Sequence, residues 1–257
     1  MNKTLYLIII LIIFSQITKE KPMAQSTAGA NAEYETLYLV DMPTAGVIPK
    51  GFFDVNSSVY SGGGFLAELL FSPFDRFMVG ISYSVTNLIS NDKIVFQNYP
   101  GIQIKWRFVD EQIAFPAIAI GINTQGVGDY DKNEKRYQIH SPGAFLALSK
   151  SYKWFLGNSA LHGGLNYSFE PGGESLNFYL GFEQSIHSFA SLNLEYNATL
   201  NEKDNLFYSK KGLLNSSIRI PITGGLTFEF QFKDLLIHFK NSSNITRNIH
   251  FEFIKRM

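Results

Sequence analysis

The 257-residue chain has no cysteine. That excludes a disulfide framework and, in an exported protein, a lipid-modified N-terminal cysteine. It also has no surplus of basic charge. Without residues 1–24, which carry Lys3, Lys19, Lys21 and Glu20, it keeps 19 basic and 21 acidic residues, a formal charge of −2. Nothing of that balance would hold a phosphate backbone, so nucleic acid is not an expected partner. Beyond residue 24 no apolar run reaches the roughly 18 residues of a membrane helix. Gly-x-Ser-x-Gly and His-Glu-x-x-His are both missing, and His140, His162, His187, His238 and His250 are scattered through the sequence. Neither nucleophilic catalysis nor a zinc site is indicated, and the expectation is a non-enzyme without cofactor or metal.

What the chain does have is aromatic residues, 23 Phe and 13 Tyr, and a period of two. In Leu226-Thr227-Phe228-Glu229-Phe230-Gln231-Phe232-Lys233 the even positions are apolar and the odd ones polar. Successive strand side chains point to opposite faces, so this segment has one greasy face and one wet face. The pattern recurs over 51–60, 63–72, 76–86, 100–109, 113–122, 142–151, 159–169, 175–185, 189–200, 212–221, 225–234 and 246–254. Strands 113–122 and 142–151 are apolar on both faces and fit the pattern less well.

Connection lengths sort by side. Those at 73–75, 110–112, 152–158, 186–188 and 222–224 are short; those at 87–99, 123–141, 201–211 and 235–245 are long and polar. Outer-membrane barrels alternate short periplasmic turns with longer outside loops. A soluble sandwich has no reason to do so. Because lipid offers no hydrogen-bond partner, the sheet must close on itself. The expected fold is therefore all-β: a single antiparallel transmembrane β-barrel of about 12 strands with up-and-down topology. Ile249–Phe253 should pair with the first strand near Phe53–Val59.

The expected organisation has three parts. Residues 1–24 read as a secretory signal peptide: Lys3, the uncharged run Leu5–Phe14, then a polar stretch leading to Ala24. A retained N-terminal anchor is the alternative. Residues 25–50 read as a periplasmic or lumenal N-terminal segment, extended because Pro43 and Pro49 lack N–H donors; a plain linker is equally compatible. Residues 51–257 are the barrel.

Eight charged residues fall on the inward face: Lys105, Arg107, Glu183, Glu195, Arg219, Glu229, Lys233 and Glu252. They could form a charged constriction that selects permeants, or pair across strands and fill a narrow lumen. In the longest loop Asp129-Tyr130-Asp131-Lys132-Asn133-Glu134 starts like a calcium loop. It lacks that loop's glycine and its terminal glutamate, so it reads as a solvated loop. Tyr83, Trp106, Trp154, Phe155, Tyr167 and Tyr196 lie near strand ends or turns, where interfacial aromatics anchor barrels.

Several short motifs occur in order: Met42-Pro43-Thr44-Ala45, Gly51, Lys105-Trp106-Arg107, Glu111, Phe115-Pro116-Ala117-Ile118-Ala119-Ile120-Gly121, Gly126 and Gly128. Over roughly residues 38–150 the chain thereby resembles the YjbH-like family of outer-membrane proteins linked to extracellular polysaccharide. The resemblance implies an outer-membrane barrel with a role in polysaccharide production or export. The chain is shorter than the well-known members and lacks the lipid-anchor cysteine many of them carry.

Together these readings point to a porin-like barrel of a Gram-negative outer membrane, serving envelope transport or exopolysaccharide export. Its expected partners are outer-membrane lipids, the barrel assembly machinery, and polysaccharide or envelope proteins. A structural or adhesive barrel presenting its loops, and a lipid-modifying barrel enzyme, are the alternatives.

Overall fold

The computed structural model describes residues 34–257 apart from 155–156, 187–188, 203–205, 223 and 241–243. The signal-peptide reading of residues 1–24 therefore lies outside the described residues. These residues contain no helix. They form fifteen strands: β1 (Phe52–Tyr60), β2 (Gly64–Phe74), β3 (Phe77–Thr86), β4 (Val95–Phe96), β5 (Gly101–Val109), β6 (Ala117–Asn123), β7 (Val127–Asp131), β8 (Arg136–Ile139), β9 (Gly143–Trp154), β10 (Gly157–Tyr167), β11 (Leu176–Ile186), β12 (Ala190–Asn197), β13 (Leu213–Pro221), β14 (Leu226–Lys233) and β15 (Thr246–Arg256).

Twelve of them make the wall. β4 only lengthens the sheet beside β3, and β7 and β8 form a separate hairpin. Each wall strand pairs antiparallel with its neighbours, and the ring closes where β1 meets β15, from Phe52↔Arg256 to Val59↔Ile249. No edge is left to satisfy in hydrocarbon. The alternation sets the faces. On β14, Glu229, Gln231 and Lys233 are buried inside, whereas Phe230 stays exposed on the outer face. Phe228 lies opposite Phe251 and Phe230 opposite Ile249, so the outer rows continue from strand to strand. An arginine at position 230 would put a charge near the middle of that apolar face. For Phe230→Arg we expect a loss of about 2–4 kcal/mol in unfolding free energy measured in lipid vesicles; an unchanged value would mean that this face does not meet lipid.

Some boundaries differ from the sequence pattern. β6 begins at Ala117 rather than residue 113, because Pro116 cannot donate to a ladder and Gln112 closes a turn onto the Phe115 carbonyl (2.9 Å). β9 runs on to Trp154, so its turn to β10 is tighter than 152–158. β12 stops at Asn197. The loop expected to be fully solvated carries the β7–β8 hairpin, in which Arg136 and Tyr137 are buried.

The interior is not empty. Residues 34–50 enter through the short-turn end of the barrel, rise inside it, reverse at Val40–Asp41 and return to Gly51 beside β1. The two legs pair at Tyr38↔Pro43, with Leu39 N–H donating to Met42 O (2.9 Å) and Thr44 N–H to Leu37 O (3.0 Å). Gly46 lets them cross, since a Cβ there would lie 2.3 Å from the Thr36 carbonyl oxygen. Nearly all of residues 36–48 are buried.

This hairpin explains the two strands that were apolar on both faces. β6 and β9 turn Ala117, Ala119 and Ala147 inward, and Ala45 packs directly against Ala117 and Ala119. Small inner side chains bring the wall up to a protein segment where water would have required polar ones. At the base Leu37, Val47 and Ile48 cluster with Leu70, Met78 and Ile254. At the tip Leu39 and Met42 cluster with Tyr179, Leu213 and the loop residues Ile139, Tyr208 and Phe239.

Candidate functional site

The candidate site is the grip of the wall on the hairpin. Its centre is Glu195 on β12, fully buried. One carboxylate oxygen accepts three successive backbone N–H groups at the hairpin tip, from Val40 (3.0 Å), Asp41 (2.8 Å) and Met42 (2.8 Å). Three consecutive N–H groups aimed at one point form an anion nest, and here the anion belongs to the protein. The other Glu195 oxygen accepts from Asn215 Nδ2 (2.9 Å), which also reaches Asp41 (3.2 Å). The Asp41 carboxylate in turn pairs with Lys233 of β14. The turn at Val40–Asp41 thus has its N–H groups, its side chain and the Val40 carbonyl (3.4 Å from Gln231 Nε2) all taken by the wall.

The legs are held in the same way. Lys105 Nζ donates to the carbonyls of Leu37 (3.2 Å) and Gly46 (3.1 Å), tying both legs at one level. Arg107 pairs with Glu35, whose carboxylate also accepts from Val47 N–H (3.1 Å). Thr36 donates to Glu183 (3.1 Å), Tyr179 to the Pro43 carbonyl (2.7 Å) and Tyr38 to Gln103 (2.6 Å). Arg219 reaches the Tyr38 carbonyl (3.4 Å) and binds Glu229 on the neighbouring strand (3.0 Å). Glu252 lies inside opposite Asn56 and Thr227 and is attracted by Arg219.

Of the eight charged residues, six therefore contact the hairpin, and Arg219–Glu229 is the one cross-strand ion pair among them. They make neither a ring around an open channel nor a mutually paired filling. The wall residues missed by the sequence reading include Tyr179, Asn215, Ser149, Gln103, Gln231 and Asn123. All sit at inward positions of the period-two pattern but carry no charge. Asp41 and Glu35 precede the barrel and gave no signal of their own.

Ser149 and His162 are hydrogen-bonded (2.8 Å), and His162 lies 3.6 Å from Glu183. The serine is taken up by the hairpin, because its Oγ also accepts from Ala45 N–H (2.9 Å). The histidines and acids of the described residues form no group suited to a metal. A polar cavity of about 50 Å³ remains between the hairpin and the β1–β2 and β14–β15 walls, with Ser58, Glu68, Glu229 and His250 in its lining. It has space for a few waters and none for a solute of sugar size.

The opposite mouth carries a lid of loops. Arg136 makes two contacts with Glu202 (2.8 and 2.7 Å), both residues fully buried, and His140 lies against the same carboxylate (3.4 Å). Burial lowers the affinity of His140 for a proton, and the adjacent Arg136 lowers it further. Glu170 accepts from the N–H groups of Tyr137 (2.9 Å) and Ser141 (2.8 Å), while its burial raises its pKa. In the loop with the calcium-like start, Asp131 is spent on the turn itself, accepting from Asn133 (2.8 Å) and Glu134 (3.1 Å) N–H.

Comparison with known proteins gives three results. Residues 31–133 match the family model YjbH, described as exopolysaccharide biosynthesis protein YbjH, which is less than half of the chain. No curated protein matches it. Similar solved structures include the NanC porin, 10% identical, covering 80% of this chain and 99% of that one with a TM-score of 0.44. Another is an OmpT from Vibrio cholerae, an outer membrane protein with its loop L8 deleted, at 6% identity, 79% and 98% coverage and a TM-score of 0.33.

Proposed function

We propose that this chain is a non-enzymatic outer-membrane barrel of the envelope transport machinery, an accessory of exopolysaccharide export, held shut by its own N-terminal hairpin. In this reading residues 1–24 direct export and are removed, and the short-turn end faces the periplasm. The hairpin and both chain ends are then on the periplasmic side, where a partner can reach them. The observation that carries the reading is the grip on residues 35–46: wall charges spent on backbone and side-chain groups of one hairpin make a seal that enters and leaves by one mouth. The polysaccharide assignment is supported by the family match, which spans that hairpin together with Lys105 and Arg107. The non-enzymatic reading is supported by the Ser149–His162 pair, whose serine is already taken up by the Ala45 N–H of the hairpin.

Planar-bilayer recording tests the transport reading. The barrel with its hairpin is expected to be silent, and a chain beginning at Lys50 to conduct in steady steps. A synthetic peptide of residues 34–50 should silence those steps again. If the folded truncated barrel is also silent, transport through the lumen is rejected. The structural alternative, a surface barrel presenting its loops, then takes its place. The packing of the lid around Arg136–Glu202 favours that second reading, since it fixes the outer surface in one shape.

A further inference from the structure

The two closures of the barrel share one core. Leu39 and Met42 at the hairpin tip are fully buried, and they pack with Ile139, Tyr208 and Phe239, one from each of three lid loops. Tyr208 and Phe239 pair as a short bridge and stack their rings, with 5.0 Å between centroids. The Tyr208 hydroxyl donates to the Gln138 carbonyl beside Ile139 (2.7 Å). The three loops are therefore bound to one another, and the apolar face they turn inward rests on the hairpin. A polar path runs beside it. Asn215 of β13 donates to Asp41 at the tip (3.2 Å) and to Glu195 (2.9 Å), while its amide oxygen accepts from Asp234 N–H (2.9 Å). The Asp234 carboxylate then accepts the N–H groups of His238 (2.8 Å) and Phe239 (2.7 Å), which fixes the loop that carries Phe239. One wall side chain thus holds the hairpin tip with one end of its amide and the root of a lid loop with the other.

We propose that lid and hairpin close as a single cooperative unit, so that loosening either one releases the other while the wall stays folded. This coupling rests on the reading of residues 34–50 as a removable seal and gives that seal its control. Its cause is the shared apolar core. With the hairpin withdrawn, Ile139, Tyr208 and Phe239 face a water-filled lumen, and the lid loses the surface it was packed on. With the lid lifted, Leu39 and Met42 meet water in the same way. Both changes break one contact, so the coupling is reciprocal. A ligand that lifts the lid from outside weakens the hold on the hairpin. A periplasmic partner that draws on the hairpin weakens the lid by the same factor. An event at one face of the membrane is thereby felt at the other without movement of the wall.

The full-length chain tests this in both directions. Reaction of a Val40→Cys thiol with a water-soluble maleimide reports on the tip, and protease cleavage within 124–142 reports on the lid. Phe239→Ala removes a lid side chain from the shared core. It should speed the thiol reaction about tenfold, within the range of such couplings. Gly46→Val obstructs the crossing of the hairpin legs, where a Cβ would lie 2.3 Å from the Thr36 carbonyl oxygen. It should raise lid cleavage about tenfold although no lid residue has changed. Combined, the two substitutions should raise cleavage by much less than the product of their separate effects, because they break one contact. Folded barrel is scored by heat-shifted gel migration, and the milder Phe239→Leu and Gly46→Ala stand in for a variant that fails to fold. An unchanged thiol rate in Phe239→Ala, unchanged cleavage in Gly46→Val, or effects that simply multiply would each overturn the proposal. Neither readout uses current. A truncated barrel that stays silent rejects transport and leaves the coupling standing, whereas a lid and hairpin that respond independently reject the coupling and leave the seal.

Discussion

Replacing Glu195 with alanine should release the tip of the hairpin and destabilise the protein by about 3–6 kcal/mol, the upper part of the range for single substitutions. The size follows from the number of groups stranded. Three N–H donors, those of Val40, Asp41 and Met42, lose their common acceptor, and each unpaired buried donor costs about 1–3 kcal/mol. Asn215 loses a partner as well, while Lys233 keeps Asp41. The site therefore does not become a bare positive hole; it becomes a turn whose backbone is unsatisfied. Water entering from the neighbouring cavity recovers part of the loss, which keeps the figure below the simple sum. Glu195→Gln separates charge from geometry. Its amide oxygen can still accept the three N–H groups, so it should fall well short of the alanine loss. Urea titration of the reconstituted barrel gives the free energies. Accessibility of a Val40→Cys thiol, in a chain with no other cysteine, reports whether the tip has left its seat. If Glu195→Ala keeps that thiol protected and costs under about 1 kcal/mol, the nest is not what holds the hairpin.

The contrast between wall and hairpin shows what a sequence can and cannot display. The twelve wall strands were legible because their physics is local. Alternation along each strand records lipid on one side, and alternating loop lengths record which end each connection occupies. The inward positions of Lys105, Glu195 and Lys233 follow from that same parity. What they bind does not, because the partners are mostly backbone atoms. A peptide N–H at Val40 looks like any other in sequence, and its acceptor lies 155 positions away. The best indirect signal was the misfit of β6 and β9. Alanine and glycine facing a supposedly wet lumen, at Ala117, Ala119, Gly121 and Ala147, make sense only if protein fills it. The lid was hidden for a related reason. Arg136 and Glu202 stand in polar loops, where charge ordinarily means solvent, and only the folded arrangement makes them buried partners.

That buried pair gives the second large effect. Arg136→Ala leaves Glu202 inside the lid without its bidentate partner, and breaking a buried pair from one side costs about 3–5 kcal/mol. The wall does not depend on this contact, so the loss should be local. Protease cleavage within 124–142 and 198–212 should rise sharply while the barrel stays folded. The contribution of His140 to the acid response should also change sign. In the unaltered protein the pKa of His140 is depressed, first by burial and then by Arg136. A depressed histidine contributes stability that is present above its ordinary value, near 6.5, and lost as pH falls through the lowered one. Through His140 acid therefore loosens the native lid, whereas Glu170, whose burial raises its pKa, works the other way in the native protein and the variant alike. Without Arg136, a proton on His140 meets the stranded Glu202 carboxylate 3.4 Å away with no competing cation. That pairing favours the closed lid, so acidification should protect Arg136→Ala from the protease more than it protects the native loops. His140→Gln in the Arg136→Ala background isolates the imidazole contribution. Parallel pH curves for native and Arg136→Ala lids would mean that Glu202 is held by contacts other than these two cations.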